Sequence, residues 1–195
     1  MPVGRLAHFG VWEDAVFIGT VIYSNGVARN LAMWAGVDRF ECSELVRVAL
    51  NTHRTPVTRI IAITLKLLHK TSPKLRVVVS YADINAGHHG GIYQGGGWTY
   101  TGLASVGTKG VLIDGVVRNR RGFTGKRKHK FAAKATLVAL PPKHRYIRAF
   151  NAADAARIQT WANPYPKREL RAEGVAGCTL DVQSRGDGSI PISAL

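Results

Sequence analysis

Acid is scarce in this chain. Its 12 Asp and Glu face 27 Lys and Arg, a formal charge of +15 and a pI near 10.4. That excess points to a polyanionic partner, because each neutralised phosphate releases counterions. Cysteine is scarcer still. Cys42 and Cys178 are the only two, so one disulfide is the most they form, and reduced thiols in a cytosolic protein are the expectation. No apolar run approaches the ~20 residues that span a bilayer. The opening MPVGRLAHFGVWEDAVF has no basic-then-apolar signal. A soluble cytoplasmic protein without a membrane partner is therefore expected. Internal repeats are absent.

What is present suits a folded chain. Its 195 residues are 46% hydrophobic, enough for one domain, or one domain with a tail. Ala15 to Tyr23, AVFIGTVIY, is rich in β-branched and aromatic residues and runs into the turn signal SNG, which predicts a strand, a turn and a return segment. Phe40 to Leu50 alternates polar and apolar residues and predicts a strand. By that alternation Glu44 and Arg47 face opposite sides. In the loop NTHRTPVTR, Thr55 is the candidate N-cap and Pro56 the first helical residue. Ile60, Ile61, Thr64, Leu67 and Leu68 recur at helical spacing and predict a helix over 56–70. LRVVVS, residues 75 to 80, reads as a strand covered on both faces. A glycine-rich stretch with a short helix and another strand, Trp98 to Gly102, follows. The order predicts an α/β fold with a mixed central sheet flanked by helices.

From Arg118 the character changes. VRNRRGFTGKRKHKFAAK contains no acid. Arg118, Arg120, Arg121, Lys126, Arg127, Lys128 and Lys130 make it a candidate phosphate-tracking arm over 118–134, or else a solvated basic loop. In PPKHRYIRAF, Lys143 and Arg145 interleave with Tyr146, which suits base stacking beside phosphate contacts and equally an edge strand. We divide the chain into a domain at 1–150 that includes the arm, and a C-terminal helix with a flexible tail at 151–195.

SELVRVAL, a loop, a helix, LRVVVSYAD, a short helix and WTYTG, in that order, resemble the acetyltransferase-like GNAT superfamily. IYQGGGWTYTG resembles its pattern of a helical Tyr before a Gly-aromatic pair and a strand. VVSYAD, GHHGGIYQ, IDGV and KHRY together resemble the phage Mom DNA-modification proteins, over roughly residues 15 to 150. That resemblance implies a GNAT-like fold and a transferase that converts adenine N6 in duplex DNA to a carbamoylmethyl-type adduct, shielding it from restriction in the host bacterial cytoplasm. It also implies an association with iron. A homodimer is left open.

The superfamily loop normally carries glycines whose N–H groups hold the pyrophosphate of coenzyme A. NTHRTPVTR has none. It offers His53, Arg54 and Arg59 instead, so a donor held by side-chain cations fits better, with Arg47 as a further anion anchor or a structural ion-pair member. Acetyl-CoA and glycyl-tRNA are the two donors considered. A glycyl unit has the carbon and nitrogen count of a carbamoylmethyl group.

Tyr93 stands where the superfamily often places a general acid, at the mouth of the cleft; the plainer reading is a packing residue with a wet tip. Asp83 follows a strand end, where α/β sheets collect ligands, and either orients the adenine amine or caps the next segment. Ser80 is placed to bind the donor carbonyl or is satisfied by backbone. His88 and His89 point about 100° apart if helical. One of them, His88, is the candidate base or phosphate contact. No HxxxH or CxxC spacing accompanies them, so no metal ligands are assigned. Trp98, Tyr100 and Tyr146 are candidate surfaces for a flipped base, or else core. Two other classes fit parts of the chain: an ordinary N-acetyltransferase for a small-molecule or protein amine, and a non-catalytic DNA-binding protein on the same scaffold.

Overall fold

Six residues, VVVSYA, form the strand around which the first part of the molecule is built. The computed structural model describes residues 6–25, 31–104, 109–119 and 136–168. The chain divides into two units, Met1–Thr108 with Leu140–Arg168, and Lys109–Ala139 with Glu169–Leu195. In the first unit β1 (Leu6–Glu13), β2 (Val16–Ser24), β3 (Cys42–Leu50), β4 (Val77–Ala82), β5 (Thr99–Leu103) and β9 (His144–Ala149) form one sheet in the order β1-β2-β3-β4-β9-β5. β3 and β4 are parallel and the other neighbours antiparallel, so the sheet is mixed.

β4 carries apolar residues on both faces because both are covered. On one face α2 (Val57–Thr71) lays Ile60, Ile61, Leu65 and Leu68 against Val21, Tyr23, Leu45 and Val78. On the other, α1 (Leu31–Trp34) and α4 (Ala152–Gln159) bring Leu31, Ala32 and Ile158 onto Val77, Val79 and Ile147. Each fully buried aliphatic side chain contributes about 1.5–3 kcal/mol. Two details of α2 differ from the sequence reading. Pro56, not Thr55, is the N-cap, and no side chain caps it. Leu67 is 45% exposed, and Leu65 takes its place on the buried stripe, because Leu65 continues the Ile61–Leu68 row at four- and three-residue spacing.

The return segment expected after Tyr23 is β3, which pairs antiparallel with β2, while residues 26–30 of the turn lie outside the described residues. On its other edge β2 pairs with β1, through a two-residue turn at Asp14 and Ala15, with φ of 47° and 64°. Two positive φ values match the twist of the strands, yet neither residue is the glycine that would announce such a turn. A bulge also overturns the alternation in β3. Arg47 pairs with Ile22 and Leu45 with Tyr23, so Val46 is the extra residue. Glu44 and Arg47 therefore share one side of the sheet.

Asp154, in the first turn of α4, is only 1% exposed. Arg76 grips it with two bonds of 2.9 and 2.7 Å, and Arg157 and Asn151 donate at 2.9 and 2.6 Å. Arg76 also reaches Glu41 at 3.3 Å. These donors, Arg76 foremost, hold the Asp154 carboxyl down to about 2, against the opposing effect of burial. The cluster ties α4 to the start of β4.

In the second unit β6 (Lys109–Ile113), β7 (Val116–Asn119) and β8 (Thr136–Ala139) form an antiparallel sheet ordered β7-β6-β8. Asp114 and Gly115 turn β6 into β7 at φ of 49° and 77°. Arg118 lies on β7. Arg120, Arg121, Lys126, Arg127, Lys128 and Lys130 fall outside the described residues, as does the tail past Arg168.

The Asp154 cluster sets a pH test. Its folded pKa lies below its ordinary value of 3.8, at about 2, so its contribution is present above the unfolded pKa and is lost as pH falls between those values. Asp154→Ala should lower stability at neutral pH by about 3–5 kcal/mol, the range for breaking a buried ion pair. In denaturant titrations the variant should also lose less stability than the parent between pH 4 and pH 2. A parallel acid profile would remove the cluster from that role.

Candidate active site at the end of the parallel ladder

The ladder between β3 and β4 is short. It runs from Cys42 opposite Val77 to Leu45 opposite Ser80 and ends there, beside the Val46 bulge. Ser80 sits at this last rung and is fully buried. Its Oγ is 2.8 Å from the Leu45 carbonyl and 2.8 Å from the Tyr93 hydroxyl. A serine has one proton. The carbonyl can only accept, so Ser80 donates to it, and the Tyr93 O–H donates to Ser80. Where the backbone ladder stops, a side chain satisfies the strand.

Tyr93 lies on α3 (Gly91–Gln94), the short helix expected in the glycine-rich stretch. It is 7% exposed and packs on Trp98 and Tyr146 at ring separations of 5.3 and 5.1 Å. It lies inside the core, not at a cleft mouth. Gly90, at φ 88°, precedes the helix, and a Cβ there would stand 2.3 Å from the Tyr146 ring. Glycine is required for the backbone angle and for the close approach. The Tyr146 hydroxyl donates to the His89 carbonyl at 2.5 Å, and Gln94 Nε2 donates to Tyr146 at 3.0 Å. Burial pushes the phenols of Tyr93, Tyr100 and Tyr146 up. They keep their protons at neutral pH and serve as donors, not bases. Trp98, Tyr100 and Tyr146 are all buried, so none offers its ring to solvent. The glycines after Gln94 make the expected turn into β5.

The rim of this region lies at the end of β4. Asp83 follows Ala82, and its carboxylate is 2.7 Å from Lys143 Nζ. Its carbonyl accepts from the backbone N–H groups of Ala86 and His88. His88 itself is exposed. Ala82 pairs with His144, whose Nδ1 is 2.9 Å from the Tyr100 hydroxyl. Ser80, Tyr93 and Tyr146 are thus gathered by three elements, β4, α3 and β9, while the Asp83–Lys143 pair lies just past the end of β4 and just before β9. Gln94 and His144 join them without having been assigned a site role from sequence, His144 through its bond to Tyr100. Only their partners in space give them away.

Arg145 points to the other face. Its guanidinium lies 3.3 Å above the Trp34 ring and bonds Thr101, while burial pulls its pKa down. Of the loop cations, His53 is exposed with Nδ1 near the Thr55 carbonyl, Arg54 pairs with Asp14, and Arg59 and Arg47 are exposed. The structure does not bring these four to Ser80. The backbone N–H groups of Arg54 and Thr55 do form an anion cradle, and Glu13 fills it, accepting at 2.9 and 2.8 Å. The Arg54 N–H bond first, then Thr55, hold the Glu13 carboxyl down to about 2. Nothing in the loop's own residues announces this, because Glu13 comes from the β1–β2 hairpin.

Among the described residues no three His, Cys, Asp or Glu side chains come together as metal ligands, and no step is assigned to iron. Among the same residues no helix is long and apolar enough to cross a membrane. Comparison with known families matches residues 1–167 to the family described as the Mom protein family. No curated protein matches the chain.

The Ser80–Tyr93 pair makes a signed prediction. Ser80→Ala orphans both the Leu45 carbonyl and the Tyr93 hydroxyl, and should cost about 1–3 kcal/mol. Tyr93→Phe leaves the Ser80–Leu45 bond intact and should cost about 1 kcal/mol. Added to Ser80→Ala, Tyr93→Phe should cost nothing further, because it removes an already unpaired group. Additive losses in a double-mutant cycle by chemical denaturation would show that the two hydroxyls are not a pair.

Proposed function

The chain belongs to the Mom protein family, and from that premise we propose that it is a phage DNA-modification enzyme, an acyl- or aminoacyl-type transferase acting on the N6 amine of adenine. The observation that carries the reading is the interrupted β3–β4 ladder, with Ser80 and Tyr93 at the break and Asp83 on its rim. A parallel strand pair joined by a helix, then a short helix and two further antiparallel strands, supports a GNAT-like scaffold. The net charge of +15 and the basic stretch over 118–134 support duplex DNA as acceptor.

Adenine N6 is a poor nucleophile because its lone pair is delocalised into the ring. The residues at the rim answer that need. Asp83 accepts a hydrogen bond from the amine and orients it, and Lys143 holds the carboxylate in place. Ser80 and Tyr93 act from below. In the resting site the Tyr93 proton is committed to Ser80, so Tyr93 positions Ser80 first. It becomes a donor to the substrate only when a substrate oxygen displaces that contact. The target base is reached by flipping.

For the donor, the Glu13 carboxylate supports a departure from coenzyme A. It occupies the N–H groups that a pyrophosphate would use in the loop before α2. A glycyl-tRNA ester fits this loop better than acetyl-CoA. In that transfer the N6–C bond forms, the ester C–O bond breaks, and the N6 proton passes to the released tRNA hydroxyl. The first product is an N6-glycyl group, an isomer of carbamoylmethyl. No residue is assigned to the rearrangement between the two. The modified base edge would resist restriction enzymes that read it.

Mass spectrometry of nucleosides from plasmid DNA made in bacteria expressing the protein tests this. A new deoxyadenosine derivative is expected from the parent and not from the Asp83→Ala, Tyr93→Phe variant. Its added mass separates an acetyl donor from a glycyl one. An unmodified adenine pool from well-expressed protein would overturn the proposal and leave a DNA-binding scaffold or a transferase for another amine.

A further inference from the structure

A second feature lies at the other end of β9. Asp83 and Lys143 flank the His144 end of that strand. Its six residues span roughly 20 Å, and past Ala149 comes Phe150, in the wall of a groove of about 500 Å³ between α2 and the turn that precedes β5. The groove is open and uneven in chemistry. Its lining includes the apolar residues Ile61, Leu65 and Trp98. It also includes three cations, Arg59, Lys66 and Arg148, and no acid. Helix α2 has no Asp or Glu anywhere in VTRIIAITLKLLHKT, so nothing on that wall offsets its charge. Arg59 and Lys66 are seven residues apart on α2, about 10 Å along one side of the helix. Arg148 stands on β9 across from them, with one guanidinium nitrogen on the Gly97 carbonyl at 2.8 Å.

An aromatic stack also lines this groove. His69 lies on Phe150 at 4.4 Å, with the rings 13° from parallel. Its Nδ1 is the one buried side-chain nitrogen or oxygen without a hydrogen-bond partner among the described residues. An unsatisfied buried nitrogen in a native wall calls for an explanation. The wall opposite α2 contains Gly95 and Gly96, which add no side chains to the space.

Cations, apolar lining residues and a flat aromatic stack are the combination that holds unpaired nucleotides. Phosphates follow the cations, and a base adds to the stack. We propose that this groove binds a single-stranded run of nucleic acid, one or two nucleotides deep, at a site separate from Ser80 and Asp83. A duplex does not fit, because its bases are stacked on one another and its backbone cannot enter a space this narrow. An acidic peptide would meet the cations but would gain nothing from the ring stack. The inference goes beyond the transferase reading and holds whatever chemistry Ser80 supports.

Fluorescence anisotropy on the full-length protein tests it, with labelled oligonucleotides of about eight nucleotides. Single-stranded DNA, single-stranded RNA and the matching duplex are the probes. Ala62 lines the groove on α2 and carries no charge. Ala62→Trp should weaken single-strand binding about tenfold, the loss of one stacked base, and leave duplex binding unchanged. Lys66→Ala should lower the slope of log affinity against log salt by about 0.7, one phosphate contact on a single strand. Lys74→Ala, an exposed lysine outside the groove, should leave it unchanged. Equal effects on DNA and RNA, or an effect on one alone, both support the groove and identify its strand. Full single-strand binding by Ala62→Trp, or equal slopes for the Lys66 and Lys74 variants, would overturn the proposal. So would a polyglutamate peptide whose binding is sensitive to Ala62→Trp when that of the oligonucleotides is not.

Discussion

Ser80 donates its proton to the Leu45 carbonyl at the rung where β3 and β4 stop pairing. The first unit is organised by that bond. A parallel pair inside an otherwise antiparallel sheet needs a crossover, which α2 provides, and a place to end, which the Val46 bulge provides. The end leaves a buried carbonyl that the ladder no longer serves, and such a group cannot be left bare. Ser80 satisfies it, and Tyr93 in turn donates to Ser80. Tyr93 fixes α3, and α3 requires Gly90 to let the Tyr146 ring pass. The break in the sheet and the residues that close it are therefore one device, and Asp83 follows directly past the end of β4.

Much of this was legible where local pattern and tertiary role agree. LRVVVS reads as a strand buried on both faces, and it is one. The α2 periodicity gives four of its five buried positions by inspection, Ile60, Ile61, Thr64 and Leu68, and misplaces the fifth by two residues. Other features are silent in sequence because they depend on partners far along the chain. The Asp14–Ala15 turn lacks the glycine that signals positive φ. The Val46 bulge looks like ordinary alternation. Glu13 reaches the loop at Arg54 only because β1 and β3 flank β2. Tyr100 and His144 become a pair only because β5 and β9 are neighbours.

Charge is distributed unequally, and the acid that remains is spent with purpose. Asp154, Asp83 and Glu13 each hold cations or backbone donors at a junction: α4 with β4, the end of β4 with the start of β9, and the β1–β2 hairpin with the loop before α2. Three carboxylates thus secure three seams of the first unit. Each seam sets a carboxylate against local cations or donors, which offsets part of the repulsion within a strongly basic chain.

The strand order carries a consequence for how the protein is made. β9 inserts between β4 and β5, yet it is synthesised after both, with all of β6, β7 and β8 in between. As the chain leaves the ribosome, β4 has β3 on one side and nothing on the other. VVVSYA, the most apolar strand of the sheet, must wait with a bare edge for some sixty residues of further translation. Long-range closure of this kind is slow, and an exposed apolar edge is the surface on which nascent chains stick to one another. Such a protein matures only once its late strand has emerged, so the shorter the wait for β9, the smaller the chance of misassembly at that edge.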